Sequence, residues 1–237
     1  MQAELPEGVR RKNESVRKIL RYALAAVALA VVAFFLRQRR SPIPLPPFLT
    51  FLIENPLIEA FAGADILLER FDLAPGMKVL DAGCGPGRLT VPVARAVGRT
   101  GEVVALDSQT AMLGKLEERT DTEGLTNVRA VRGELGEGAL DESGFDRVLL
   151  VGVFGEVRDR AAGLRELYAA LEPGGVLSVT EILGDPDYHR PPTIRREAEA
   201  AGFKLVERFG GFPAYTLNFE KPNALTAEEA PPESLAL

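Results

Sequence analysis

The sequence predicts a doubly wound α/β fold, in which helices cover both faces of a mostly parallel sheet that ends in an antiparallel hairpin. Two observations predict it. Short apolar segments alternate with helical patterns over residues 56–202, which is typical of parallel strands joined by crossover helices. Beyond this region, residues 203–209 and 215–219 alternate apolar and polar positions around Gly210 and Gly211, which indicates two consecutive antiparallel strands.

The elements follow in order from these patterns. The first helix of the domain is predicted to begin at Asn55 and Pro56, because asparagine is a preferred N-cap residue and proline fits the first helical turn. Glycines that follow the apolar patterns predict where later helices end. Strands are predicted over 78–81, 102–107, 128–131, 145–151 and 176–182, and helices over 89–97, 110–123, 158–171 and 193–201, with a turn at 172–175.

The composition limits the kinds of site that the chain can hold. Its 237 residues are enough for one α/β domain of ordinary size and an appendage. A single cysteine, Cys84, excludes an intrachain disulfide, and a single histidine, His189, excludes a multi-histidine metal cluster. We therefore expect no bound metal, and we expect Cys84 to be a small packed side chain.

Charge is distributed unevenly along the chain. Residues 1–40 contain nine Lys or Arg and three Asp or Glu, whereas residues 41–237 contain 19 and 31. Affinity for nucleic acid comes mainly from basic side chains that neutralise phosphates. The acidic domain therefore predicts that nucleic acid is not a partner.

An apolar run near the N-terminus predicts a membrane helix over about residues 19–36. Residues 22–36 contain no polar side chain, and basic residues flank the run on both sides. A cleaved signal peptide and a buried soluble helix remain alternatives, although Arg37, Arg39 and Arg40 follow the run instead of the small residues of a cleavage site. Because both flanks are basic, a single-pass and a monotopic anchor are both open, with the α/β domain expected to face the cytoplasm.

These observations divide the chain into four parts. Residues 1–40 are predicted to be a basic membrane anchor, 41–55 a proline-rich linker or interfacial segment, 56–222 the α/β domain, and 223–237 a disordered tail. The linker also contains an apolar patch at residues 48–53, which either presses against the membrane or packs on the domain.

A glycine-rich loop is predicted at the end of the first strand, in the sequence VLDAGCGPGRLT at residues 79–90. A strand, a glycine turn and a helix in this order place backbone N–H groups at the carboxyl edge of the sheet. A phosphate-binding P-loop would end in Gly-Lys-Ser/Thr, but Arg88 follows Gly87 here. A dinucleotide fingerprint has its third glycine one residue later than Gly87. The spacing therefore disfavours both a P-loop and a dinucleotide site. Without a dinucleotide site, an oxidoreductase is also disfavoured.

The sequence VLDAGCGPG resembles motif I of class I S-adenosylmethionine (SAM) dependent methyltransferases. Residues 56–221 also resemble that family's Rossmann-like, seven-stranded sheet with a terminal antiparallel hairpin. The resemblance implies that SAM is the cofactor. Its methionine portion would be held by Asp81 and by the backbone of Gly83, Gly85 and Gly87.

Later segments extend this resemblance around the cofactor. Asp107, in VVALDSQ, corresponds to the acid that binds the ribose hydroxyls, and Ser108 follows it where an apolar residue commonly stacks on adenine. Gly133 and Glu134 stand where the family usually has Gly-Asp, which implies that Glu134 faces the adenine amino group.

The resemblance implies methyl transfer by in-line displacement, a reaction that needs an aligned acceptor and, for a neutral nucleophile, a proton acceptor. Candidate catalytic groups are Glu156, His189 and Tyr215, which follow strand four, follow strand five and lie in the last strand. Each candidate also has a noncatalytic interpretation. Glu156 would be a solvated loop acid, His189 an ordinary surface residue and Tyr215 a structural side chain.

The C-terminal segments DPDYHRP, AEAAGFKLVERFG and YTLNFEKP resemble a bacterial and archaeal subgroup of these enzymes. The subgroup implies a small hydrophobic or lipid-like acceptor, such as a quinone or a phospholipid. Together with the predicted anchor, the resemblance indicates a membrane-anchored SAM-dependent methyltransferase. A noncatalytic SAM-binding membrane scaffold or sensor is the alternative, and the sequence indicates neither the acceptor atom nor the oligomeric state.

Overall fold

The computed structural model describes residues 60–183, 185 and 187–223, together with four residues near the N-terminus. The chain divides into two compact units, Met1–Ile43 and Pro44–Leu237. In the first unit the four described residues are helical and exposed; they are Lys18, Arg21, Tyr22 and Leu29. The predicted membrane helix otherwise lies outside the described residues, as do the linker, the helix start at residues 55 and 56, and the tail after residue 223. Within the described part of the chain, no helix is both long and apolar enough to cross a membrane.

The described domain is a seven-stranded sheet with helices on both faces, as the sequence predicts. Its elements are α1 Ala64–Phe71, β1 Lys78–Ala82, α2 Thr90–Val97, β2 Glu102–Asp107, α3 Thr110–Glu123, β3 Val128–Arg132, β4 Phe145–Val151, α4 Arg160–Ala170, β5 Leu171–Ile182, α5 Pro191–Ala200, β6 Lys204–Gly210 and β7 Ala214–Glu220.

The strand order across the sheet is β3-β2-β1-β4-β5-β7-β6. Strand β1 pairs in parallel with β2 on one side and with β4 on the other, so the order of the strands reverses between β1 and β4. Strand β7 is antiparallel to both β5 and β6, which confirms the predicted hairpin. In sheets of this kind, ligands bind outside the carboxyl ends of the strands at the point of reversal.

The core has two layers because alternate side chains of the parallel strands point to opposite faces of the sheet. On one face, β-strand residues such as Val79 and Val103 pack against α1 and α2, and Ala105 packs against α3. On the other face, residues such as Leu80 and Val148 pack against α4 and α5. The two packed faces fix the carboxyl edge of the sheet, where the glycine loop lies.

Several element boundaries differ from the sequence prediction, and two of these differences have a clear structural cause. Helix α4 begins at Arg160 instead of residue 158, because the Asp159 side chain accepts a hydrogen bond from the Ala162 N–H and caps the helix. The predicted turn at 172–175 is part of the long strand β5. Residues 172–175 loop out of the pairing between β5 and β4. Phe145 pairs with Leu171, and the next pair is Arg147 with Val176.

Candidate functional site

The glycine loop connects β1 to α2 at the carboxyl edge of the sheet. The N–H groups of Gly83 and Cys84 donate to the carbonyl of Leu106 at 2.8 and 3.0 Å, which ties the loop to the end of β2. Gly83 has φ +79°, and a Cβ there would lie 2.3 Å from Cγ2 of Val153, just beyond β4. At Gly85 a Cβ would meet nothing within 4 Å. The loop therefore contacts the β4 end at Gly83 and presents its backbone to open space at Gly85.

Asp81, near the end of β1, is a buried carboxylic acid. Its side chain is 3% exposed, and its Oδ2 accepts a hydrogen bond of 2.6 Å from the Thr90 hydroxyl. Burial raises the pKa of Asp81 to about 6. The hydrogen bond from Thr90 lowers this pKa, and the charge of Asp107 raises it further. Asp81 is thus held in one orientation by the first turn of α2.

Asp107, the last residue of β2, lies beside the glycine loop. Its Oδ2 accepts from the Gly85 N–H at 2.9 Å and its Oδ1 accepts from the Gln109 N–H at 2.8 Å. Burial raises the pKa of Asp107, although both backbone hydrogen bonds lower it. Because each carboxylate oxygen can accept two hydrogen bonds, each has acceptor capacity left for a ligand.

The remaining residues predicted around the cofactor continue along the ends of β2 and β3. The Gly133 N–H donates to the Asp107 carbonyl at 3.1 Å, and the Ser108 carbonyl accepts from Nε of Arg132 at 3.4 Å. Glu134 is partly exposed, and its Oε2 lies 3.8 Å from Nε of Arg158. The structure therefore brings all eight predicted cofactor residues to one edge of the sheet.

A group of acids lies at the ends of β4 and β5, next to the cofactor side. We define the acidic cluster as Glu156, Glu181, Asp185 and Asp187. Glu156 is half-buried, and burial raises its pKa to about 8, with further rises from the charges of the other three acids and of Asp107. It is therefore not the solvated loop acid that its position in the sequence suggests.

Glu181 is more deeply buried than Glu156, with 1% of its surface exposed. Burial raises its pKa to about 8, against a hydrogen bond from the His189 N–H, which lowers it. Burial also raises the pKa of Asp185 to about 6, and the charge of Asp187 adds to that rise. At neutral pH the protonated forms of the two glutamic acids are therefore favoured.

His189 is held by hydrogen bonds to both of its backbone polar groups. Its N–H donates to Oε2 of Glu181 at 2.8 Å, and its carbonyl accepts from the Tyr215 hydroxyl at 2.5 Å. Glu181 and Tyr215 are direct cross-strand partners in β5 and β7. We call this arrangement the His189 clamp. Tyr215 is 1% exposed, and its hydroxyl serves this clamp, so its structural interpretation fits the geometry.

The imidazole ring of His189 is also oriented. Its Nδ1 lies 2.6 Å from the carbonyl oxygen of Asp187, and its ring packs edge to face with Phe154 at 5.5 Å between centroids. A carbonyl oxygen can only accept a hydrogen bond, so Nδ1 carries the proton of the neutral ring and Nε2 is the acceptor. His189 is therefore an oriented, half-buried residue instead of an ordinary surface histidine.

Several contacts in this site were not predicted from the sequence. Nothing in the sequence predicts the hydrogen bond from Thr90 to Asp81, apart from the position of Thr90 in the first helical turn after the glycine loop. Val153 forces a glycine at residue 83 through a contact between two loops. Asp185 and Asp187 lie in the segment DPDYHRP, whose acidity is visible in the sequence but whose position beside Glu156 depends on the fold.

A family model described as a methyltransferase domain matches residues 79–175, from β1 to the looped-out part of β5. These 97 of the chain's 237 residues are therefore similar to a methyltransferase domain. A solved SAM dependent methyltransferase from Aquifex aeolicus has a TM-score of 0.68 with this chain at 22% identity, and the match covers 74% of this chain and 98% of that one. The described domain therefore has the same fold as that enzyme, which confirms the predicted Rossmann-like sheet with its C-terminal antiparallel strands.

Curated relatives also match part of the chain. The chain is 36% identical over 106 residues to a demethylmenaquinone methyltransferase of Staphylococcus aureus (strain MRSA252), covering 45% of this chain and 43% of the relative. It is 35% identical over 131 residues to an uncharacterized 37.1 kDa protein in transposon TN4556 of Streptomyces fradiae, covering 52% and 34%. The matched part thus spans less than half the length of either relative.

Proposed function

We propose that this protein is a SAM-dependent methyltransferase, held at a membrane, that methylates a small hydrophobic or lipid-like acceptor. The observation that carries the proposal is the assembly of Asp81, the glycine loop and Asp107 at the point of strand reversal, inside a methyltransferase domain. When bound, SAM supplies an electrophilic methyl group on a sulfonium.

The residues at this edge fit the cofactor. A Cβ at Gly85 would meet nothing within 4 Å, so the loop leaves room beside Asp107 for the methionine portion. Asp107 has acceptor capacity for the two ribose hydroxyls, and Glu134 lies at the end of β3 for the adenine amino group. A sulfonium is a cation, so the acids of this edge favour its binding electrostatically.

We assign the acceptor side to the ends of β4 and β5, and the proton-accepting role to Nε2 of His189. SAM, held by Asp81, the glycine loop and Asp107, would supply the methyl group to the electron pair of the acceptor atom and would keep the electron pair of the broken carbon–sulfur bond. A neutral acceptor then loses its proton to Nε2, which has a free lone pair because Nδ1 faces the Asp187 carbonyl. Glu181 and Tyr215 are positioning residues, because they act on His189 through its backbone.

Two features of the sequence support a hydrophobic acceptor and a membrane location. Residues 22–36 form an apolar run flanked by basic residues, and residues 48–53 add a second apolar segment. In addition, the name of the matched Staphylococcus aureus relative gives a quinone-type acceptor, demethylmenaquinone. We propose on this basis an N-terminal anchor and a catalytic domain on the cytoplasmic side.

Calorimetric titration of the full chain with SAM and with NADH tests the cofactor. We expect SAM to bind and Asp107→Ala to weaken its binding severely, whereas Glu118→Ala, an exposed helix control, should bind as the wild type does. Circular dichroism of each variant checks that it is folded. NADH binding without SAM binding would overturn the proposal.

Incubation of the full chain with methyl-labelled SAM and a lipid extract tests the reaction. Transfer of label into an extractable lipid, with a mass gain of about 14 units for each methyl that replaces a hydrogen, is the expected result. SAM binding without transfer to any extract would instead support the noncatalytic scaffold or sensor.

A further inference from the structure

Three of the exposed large apolar side chains in the described domain lie at its carboxyl edge. Phe212 is 88% exposed, Leu183 is 48% exposed and Phe61 is 41% exposed. Val206, at 46%, lies within β6 instead. Apolar surface concentrated at one edge of a domain marks an interaction site more often than scattered apolar residues do.

Hydrogen bonds show how Leu183 and Phe212 come to the same place. Leu183 directly follows β5, and its N–H donates to the Pro213 carbonyl at 2.7 Å. Phe212 and Pro213 form the connection between β6 and β7, which begins at the carboxyl edge because β7 runs antiparallel to β5. The backbone segments that carry Leu183 and Phe212 therefore meet at this edge, on the acceptor side.

Phe61 reaches this edge from the N-terminal end of α1. The Ala62 carbonyl accepts from Nη1 of Arg88, in the glycine loop, at 3.0 Å. The other end of α1 lies at the opposite edge, since the Phe71 carbonyl accepts from Nε of Arg147 near the start of β4. The chain thus enters the described domain at the carboxyl edge.

The segment that leads into this entry point is apolar in sequence. Residues 48–53 read FLTFLI, only a few residues before Ala60, and the longer apolar run at 22–36 lies further upstream. Because the chain enters the described domain at the carboxyl edge, this edge is closer along the chain to both apolar segments than the opposite edge is. The acidic character of residues 41–237 gives no electrostatic attraction to anionic lipid, so contact depends on apolar side chains.

We propose that Phe212, Leu183 and Phe61 form a rim that inserts into the interface of a lipid bilayer, so that the acceptor enters the site from the membrane. We call these residues the apolar rim. Large apolar side chains that penetrate the headgroup region are a general means of interfacial binding. The proposal rests on the proposed function for the acceptor, but the lipid contact itself is measured without catalysis.

The absence of tryptophan from the sequence gives a direct test. Phe212→Trp in the full chain introduces the only indole, and Val206→Trp places a matched indole on β6. Each variant is mixed with phosphatidylcholine vesicles, with and without brominated acyl chains. We expect the indole at residue 212 to shift its emission to the blue and to lose emission to the brominated lipid, and the indole at residue 206 to do neither.

Leu183→Trp repeats the measurement at a second position of the apolar rim. Water-like emission from residues 212 and 183 in the presence of vesicles would overturn the proposal, and so would equal quenching at residue 206, since the contact would not then be specific to this edge. Calorimetric SAM binding by the same variants is a separate readout. Binding of SAM without lipid contact would leave the methyltransferase proposal standing and remove the apolar rim.

Discussion

The buried acid Glu181 should make the stability of the domain fall as the pH rises. Its pKa is raised from 4.5 to about 8 in the folded state, chiefly by burial. Between these values the folded protein keeps a proton that the unfolded chain releases. The stabilisation is therefore complete below about pH 4.5 and is lost as the pH rises through about 8.

The size of the effect follows from the shift. One proton of difference changes the free energy of unfolding by about 1.4 kcal/mol per pH unit, which gives roughly 3 kcal/mol between about pH 5 and pH 7.5. Glu181→Gln removes this titration but keeps a side-chain oxygen that can accept from the His189 N–H. We therefore expect the variant to be less sensitive to pH than the wild type by about one proton, and more stable near neutral pH.

Urea unfolding of the full chain, followed by far-ultraviolet circular dichroism at several pH values in one detergent, measures this difference. Glu118→Gln, at an exposed helix position, serves as the control and should keep the wild-type slope. Glu156 titrates in both wild type and variant, and since the charge of Glu181 is the last of the causes that raise its pKa, most of its contribution cancels in the comparison. An unchanged slope in Glu181→Gln would refute the assignment of the retained proton to this residue.

Three further predictions concern binding and catalysis. Gly83→Ala should weaken SAM binding by about 10-fold or more, because its Cβ would lie 2.3 Å from Val153, and Val153→Ala in the same chain should restore part of the affinity in a calorimetric titration. His189→Gln should lower kcat by about 10²- to 10⁴-fold in a labelled-methyl assay with SAM affinity unchanged, and an unchanged kcat would exclude it as the base. SAM binding near pH 7 should release up to about one proton as the sulfonium lowers the pKa of Glu156; calorimetry in buffers of different ionisation enthalpy measures this release, which should be absent in Glu156→Gln.

Much of the fold could be predicted because apolar periodicity and turn residues are local signals. The strand at 102–107 and the helix at 110–123 have the predicted bounds, since an apolar strand ends in an acid and a glycine closes the helix. The looped-out residues 172–175 of β5 were harder to assign. Their conformation depends on pairing with β4, which no local pattern reports.

The site also has a part that the sequence indicates and a part that depends on contacts distant in the sequence. The family resemblance assigned Asp81 and Asp107 to the same cofactor, and in the structure Asp107 accepts from the Gly85 N–H at the edge where β1 also ends. The His189 clamp was not predictable, since it requires Glu181 and Tyr215 to be paired across β5 and β7. Burial that raises the pKa of an acid also depends on neighbours that are distant in the sequence.

The segment between β5 and α5 contains one residue of the apolar rim and the residue held by the His189 clamp. Leu183 begins this segment at the exposed rim, whereas His189 near its end is fixed to the sheet through its N–H and carbonyl groups. The backbone of His189 is therefore held by β5 and β7, and its ring by the Asp187 carbonyl and Phe154. Under the proposed function, changes in the rim should act mainly on the KM for a lipid acceptor and changes in the clamp mainly on kcat, because the clamp positions the group proposed to act in the transition state.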